Sequence, residues 1–112
     1  MTLAECCFDT GGVGVEASID AVTVARDAAV NRAAALFGES ASRVVVSAAP
    51  DRMVEVLSRA EAVGVPARAI GRTGGTTLRV EVGGEMAIDV RIGEAERMWS
   101  SAVDRYFVKR VA

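Results

Sequence analysis

Apolar and polar residues alternate along three stretches of the chain, which is the pattern of strands that bury one face. These stretches are 13–17, 77–82 and 86–92, and the Gly83-Gly84 pair between the last two predicts a tight hairpin. Arg43–Ala48 is instead a continuous, mainly apolar run, which is typical of a strand covered on both faces. We therefore predict a buried strand there.

Helical spacing of apolar residues accounts for most of the remaining chain. The predicted helices cover Leu3–Asp9, Asp27–Leu36, Pro50–Val63 and Glu94–Val108. Pro50 stands at a favoured first helical position, and Gly64 is a typical helix end. Trp99 lies on the apolar face of the last helix, and we expect it to be a core or interface anchor. A short further strand is predicted over Ala67–Ile70, followed by a turn over Gly71–Thr76.

The order of these elements predicts an α/β (α+β) fold in which helices pack on one mixed sheet. Its middle portion has a ferredoxin-like progression of strand, helix, strand, hairpin and helix. We expect residues 1–112 to form a single domain, whose buried strand Arg43–Ala48 carries the helices Pro50–Val63 and Glu94–Val108. Because the first helix would begin at residue 2 without a capping residue, we expect the chain to be part of a larger protein.

Composition narrows the classes of function. Hydrophobic residues make up 51% and charged residues 25%, with a formal net charge of -2. Twelve Arg and one Lys are scattered along the chain, so we expect no nucleic-acid partner, which would need a concentrated positive face. No apolar run approaches the roughly 20 residues of a membrane helix, and no basic leader opens the sequence, so we expect a cytoplasmic protein with no membrane partner.

The sequence contains few groups that could perform catalysis. Histidine is absent, and Cys6 and Cys7 are adjacent, so the chain lacks both a typical metal site and a base to activate a thiol. We expect both cysteines to be small buried residues. The glycine-rich stretches at 11–14 and 71–75 match neither a phosphate loop nor a dinucleotide fingerprint. We therefore predict no catalytic residue and no metal ligand.

One polar segment is a candidate site. Glu39, Ser40, Ser42 and Arg43 lie at the start of the predicted buried strand. Hydroxyls, backbone N–H groups and an arginine can together bind a phosphate. The alternative is an ordinary turn in which Arg43 pairs with a neighbouring acid. We name these four residues as a weak substrate- or phosphate-binding site.

Several stretches resemble, in order and spacing, the synthetase subunits of phosphoribosylformylglycinamidine synthase. They are LAECCF at 3–8, LFGESASR at 36–43 and the run from Val44 to Thr73 with its AVGVPARAIGRT ending. The resemblance continues to the last helix. It implies the C-terminal domain fold of aminoimidazole ribonucleotide synthetase and its relatives, and that residues 1–112 are a C-terminal fragment of a larger synthetase subunit. Where the family's substrate-contacting segment reads Glu-Ser-Gln, this chain has Glu39, Ser40 and Ala41, which implies the second, largely structural copy of the domain.

The resemblance further implies a role in de novo purine biosynthesis. The parent ligase uses ATP and Mg²⁺ to convert formylglycinamide ribonucleotide and glutamine to formylglycinamidine ribonucleotide. Its partners would be the remaining synthetase domains, a glutaminase subunit and a small accessory subunit. We expect this chain to hold no cofactor and to be inactive alone.

Two other interpretations remain open. The chain could be a free-standing ferredoxin-like module that binds a small regulatory molecule. It could also form a homodimer through its first helix, with Leu3, Cys6 and Cys7 as the apolar contact residues.

Overall fold

A mixed four-stranded sheet forms the centre of the molecule. The computed structural model describes residues 2–111, with side chains through Val108. The strands are β1 (Val15–Ile19), β2 (Gly71–Thr73), β3 (Thr77–Val82) and β4 (Glu85–Arg91), in the order β2-β1-β3-β4. Strand β1 is antiparallel to β2 and parallel to β3, while β3 and β4 form an antiparallel hairpin with an irregularity between Val80 and Glu81. The predicted mixed sheet with helices is confirmed.

Five helices accompany the sheet. They are α1 (Thr2–Cys7), α2 (Ala28–Phe37), α3 (Met53–Ala62), α4 (Ile92–Ser100) and α5 (Ala102–Val111), with a 3-10 turn over Pro50–Arg52 before α3. Asp27 caps α2 by accepting a hydrogen bond from the Ala29 N–H at 2.8 Å. The Asn31 side chain fixes the loop before α2, because it accepts from the N–H groups of Val24 and Ala25 and donates to the Ala25 carbonyl.

The core lies on one face of this sheet. Within residues 2–108, the buried hydrophobic side chains are Ala4, Cys7, Val15, Ala17, Leu78, Val80 and Ile92. Alternation in β1 and β3 supplies four of them, as the sequence pattern predicts. Helix α1 and the first residue of α4 cover this face, and Ile92 is the most completely buried side chain, at 1% exposure.

The prediction of a buried strand over Arg43–Ala48 is wrong. The segment belongs to no strand, and Val44, Val45 and Val46 are 81%, 47% and 67% exposed. The apolar run has the composition of a strand, but pairing needs a neighbouring backbone, and no local feature of the run specifies one.

Three further element predictions need correction. Gly71–Thr73 is the strand β2 and not a turn, whereas the predicted strand Ala67–Ile70 has no strand assignment. The last predicted helix is divided at Ser101, whose hydroxyl donates to the Arg97 carbonyl at 2.6 Å. Trp99 is 54% exposed, so it is not a core residue.

The molecule is more extended than its length requires. Its radius of gyration is 16.5 Å, against about 13 Å for a compact domain of this length. Helices α2 and α3 contain no buried residue, and α5 exposes Val103, Phe107 and Val108. The sheet and its core therefore occupy one part of the chain, while much apolar surface elsewhere is uncovered.

Candidate functional site

The four predicted site residues lie together in the exposed loop after α2. Glu39, Ser40, Ser42 and Arg43 are all exposed, and Ser42 has a left-handed backbone with φ of 63°. Gly38 ends α2, where its N–H donates to the Ala34 carbonyl at 2.9 Å. Within the described part of the chain, the four side chains make no hydrogen bond or ion pair. Residues 41–42 form a turn, but no acid among the described residues pairs with Arg43, whose side chain is exposed to solvent.

A row of alternating charges crosses the face of the sheet opposite the core. The strand register places Arg72 beside Glu16, Glu16 beside Arg79, and Arg79 beside Asp89. The Arg79 Nη1 lies 3.1 Å from the Glu16 carboxylate, and its Nε lies 3.7 Å from the Asp89 carboxylate. Sequence reasoning missed this row. The polar positions of each strand were visible, but the register that aligns them was not.

The ion pairs of this charged row stabilise the sheet. Arg79 lies between two acids, so its charge is balanced, and its Nε is buried without a hydrogen-bond partner. Opposite charges on neighbouring strands favour this register over a shifted one. A shallow depression of about 220 Å³ lies on the same face beside Met86. With a solvent-exposed ion pair at its edge, the depression provides no enclosed space in which a reaction would be shielded from water.

The two adjacent cysteines have different environments. Cys7 is buried in the core cluster and donates a hydrogen bond from its thiol to the Leu3 carbonyl at 3.2 Å, whereas Cys6 is exposed. Burial raises the pKa of the Cys7 thiol above its ordinary value, and the neighbouring Cys6 raises it further. The expectation that both cysteines are buried holds for Cys7 and is wrong for Cys6. Because Leu3 packs on the core and Cys7 lies inside it, α1 is largely covered within one chain.

Within residues 2–108, the structure forms neither a metal-binding cluster nor a nucleotide phosphate loop. Within residues 2–108, no group of three or more His, Cys, Asp or Glu side chains could hold a metal ion. Gly74-Gly75 and Gly83-Gly84 form turns between strands, and Gly11-Gly12 follows the end of α1. A nucleotide phosphate loop instead joins a strand to the start of a helix. No described helix is both long enough and apolar enough to cross a membrane.

Comparison with known proteins identifies the family. Residues 1–83 match the model of the AIR synthase related protein, C-terminal domain. The chain belongs to this family. The matched region includes the core strands β1, β2 and β3 and the candidate loop at 39–43. No solved structure matches the chain.

Three curated relatives to which the chain is similar carry the same name. The chain is 36% identical over 103 residues to phosphoribosylformylglycinamidine synthase subunit PurL of Thermomicrobium roseum, covering 92% of the chain and 13% of the relative. It is 38% identical over 94 residues to the protein of that name from Corynebacterium aurimucosum, covering 84% of the chain and 11% of the relative. It is 42% identical over 88 residues to the protein of that name from Methylocella silvestris, covering 79% of the chain and 11% of the relative. The chain thus spans about a tenth of the length of the curated relatives it matches.

Proposed function

We propose that the chain is a packing domain of the ATP-dependent ligase that converts formylglycinamide ribonucleotide, glutamine and ATP to formylglycinamidine ribonucleotide in purine biosynthesis. In this proposal the chain is inactive alone. ATP and Mg²⁺ bind to other domains of the synthetase subunit, in the cytoplasm. The remaining synthetase domains, a glutaminase subunit and a small accessory subunit complete the enzyme.

The observation that carries the proposal is the apolar surface that the domain leaves uncovered. Val54 on α3 is 75% exposed, and Val103 and Phe107 on α5 are 65% and 60% exposed. Soluble monomers rarely expose large contiguous apolar patches, and such patches mark surfaces that pack against other protein. The names and lengths of the relatives supply the enzyme to which this surface would belong.

A chimera tests the proposal directly. The matched segment of the Thermomicrobium roseum subunit is replaced by this chain, and ATP- and glutamine-dependent amidine formation is measured. We expect the chimera to be active and the isolated chain to release no phosphate from ATP, with or without Mg²⁺. A folded but inactive chimera, or Mg²⁺-dependent phosphate release that co-purifies with the isolated chain, would overturn the proposal. Stabilisation of the isolated chain by free amino acids would favour a small-molecule-binding regulatory module instead.

We also propose that Glu39, Ser40, Ser42 and Arg43 form a weak substrate- or phosphate-binding loop. Support comes from the exposed hydroxyls beside an arginine whose charge no neighbouring acid neutralises. The loop is tested by titrating the chain with inorganic phosphate and following amide resonances. We expect shifts confined to this loop that Arg43→Gln removes and that Arg26→Gln, at another exposed arginine, leaves intact. Equal amide shifts in the two variants would mean that phosphate is attracted by the general positive charge of the arginines and does not bind specifically at this loop.

A further inference from the structure

Strand β4 has an open outer edge. It lies at one end of the sheet and, in the described part of the chain, pairs only with β3. The Ile92 N–H donates to the Thr76 carbonyl at 2.9 Å, so this position is bonded toward β3. Because bonded positions alternate along an antiparallel strand, Val90 also bonds to β3, whereas Asp89 and Arg91 direct their N–H and C=O groups away from the sheet. Such outward backbone groups are a template for another strand.

The row of alternating charges across the sheet ends at this edge in an acid. Its members are, from β2 to β4, Arg72, Glu16, Arg79 and Asp89. Arg91 lies on the same face of β4 as Asp89, because side chains two positions apart in a strand share a face, and it is exposed. No acid among the described residues forms an ion pair with Arg91. The edge therefore carries one acid at the end of the row and one arginine without a partner.

A two-fold axis at Val90 would bring these opposite charges together. In an antiparallel pair of β4 strands centred there, Asp89 of each copy lies opposite Arg91 of the other. The two residues exchange backbone hydrogen bonds, and their side chains meet on one face, so the charged row continues from one sheet into the next. A pair centred at Asp89 would instead oppose two carboxylates. A pair centred at Ile88 would place Asp89 opposite the uncharged Ala87, so charge favours the register at Val90.

We infer that the outer edge of β4 is a self-association surface, at which a second copy of this chain pairs in antiparallel orientation about Val90. The occupant is a second copy because the charges of this edge are complementary to themselves in that register. The paired stretch is short, since α4 begins at Ile92, so the dimer is weak and forms at millimolar rather than micromolar protein. The inference does not depend on the proposed ligase role.

Sedimentation and amide hydrogen exchange at micromolar and at millimolar protein test the surface together. We expect mainly monomers at the lower concentration and mainly dimers at the higher. The Asp89 and Arg91 amides should exchange at least about twofold more slowly in the concentrated sample, because they then exchange only from the remaining monomer. Val90, whose N–H faces β3, is the internal reference and should be protected equally in both samples. A monomer at both concentrations, or dimers without slower exchange at Asp89 and Arg91, would overturn the inference.

A charge reversal provides the matched control. Arg91→Glu opposes two acids at each end of the pair, so we expect the dissociation constant of the dimer to rise about tenfold or more. Arg26→Glu makes the same change of net charge at an exposed arginine in the loop before α2 and should leave that constant unchanged. Protection of the Val90 amide in Arg91→Glu verifies that the sheet is intact. Equal weakening by the two variants would assign the association to net charge, and dimers that neither variant weakens would place the contact on another surface, such as α1. Either result would contradict pairing at β4.

Discussion

The rings of Phe8 and Trp99 lie 5.2 Å apart between centroids, with 38° between their planes. Phe8 directly follows α1, and Trp99 lies near the end of α4, so the pair joins the two helices that meet over the core face of the sheet. A hydrogen bond from the Asp9 N–H to the Glu96 carboxylate at 3.1 Å joins them again. Trp99 thus contributes one face to a contact while 54% of it is exposed.

This geometry predicts a modest cost for removing the indole. Trp99→Ala should lower the free energy of unfolding by about 1 kcal/mol, the scale of one aromatic pair, rather than the ~3–5 kcal/mol of a core aromatic. Urea midpoints of Trp99→Ala, Phe8→Ala and the double variant give the coupling energy. Met98→Ala is the control, because Met98 is equally exposed, at 53%, and should show no coupling with Phe8. A loss above ~3 kcal/mol would place Trp99 in a core that the structure does not show.

Ile92 should be the most sensitive aliphatic position. Its side chain is 1% exposed, and its N–H donates to the Thr76 carbonyl at 2.9 Å. Ile92→Ala keeps that backbone hydrogen bond and leaves a cavity, so we expect a loss of about 2–5 kcal/mol in thermal or urea unfolding. Val103→Ala, at a site that is 65% exposed, should change stability by less than ~0.5 kcal/mol. Similar losses at the two positions would contradict the core described above.

Glycine is required at position 14 for a steric reason. A Cβ on Gly14 would overlap the backbone carbonyl oxygen of Thr77, whereas a Cβ on Gly93 in α4 would meet nothing within 4 Å. Gly14→Ala should therefore destabilise the domain, because β1 and β3 must separate to admit the methyl group. Gly93→Ala should be neutral or stabilise it by up to about 1 kcal/mol, as expected when alanine replaces glycine in a helix. The comparison of the two unfolding midpoints checks both expectations, and a stable Gly14→Ala variant would mean that the strands are not this close.

The Cys7 thiol should make stability fall in alkaline solution. Its pKa is raised in the folded state by burial and, secondarily, by Cys6. The unfolded chain therefore loses this proton at a lower pH than the folded chain, and stability decreases as the pH rises above about 8.5, the ordinary thiol value. Urea midpoints from pH 7 to pH 10 should fall less steeply for Cys7→Ala. Cys6→Ala should retain most of the slope, because burial is the larger cause. Parallel curves for the parent and Cys7→Ala would refute this explanation.

The local sequence pattern was sufficient to predict those elements whose contact partners are close in the chain. The alternation in 77–82 and 86–92 around Gly83-Gly84 predicted the β3–β4 hairpin, because a two-residue turn brings the two strands together without help from the rest of the fold. Pro50 likewise acts on neighbouring backbone, and the 3-10 turn before α3 begins at the residue that the sequence predicts. The family resemblance rested on the same kind of ordered local pattern.

The candidate loop shows the limit of that reasoning. Sequence placed Glu39, Ser40, Ser42 and Arg43 side by side because they are nearly adjacent in the chain. It did not reveal that Arg43 lies without a neighbouring acid, since this depends on how α2 and the following segment leave the sheet. The charged row through Glu16, Arg79 and Asp89 was hidden for the same reason, because Glu16 and Arg79, which are 63 positions apart, meet only through strand register.

By itself, therefore, the sequence determined which segments are suited to be helices or strands, the hairpin, the turn that begins at Pro50 and the family. Tertiary structure alone decided which apolar segments are buried. Val44–Val46 is more continuously apolar than 15–17, yet Val15 and Ala17 are the residues in the core. The reason is physical: burial requires a partner surface, and β1 has strands on both sides and α1 above it, whereas the three valines meet no neighbouring strand in this structure.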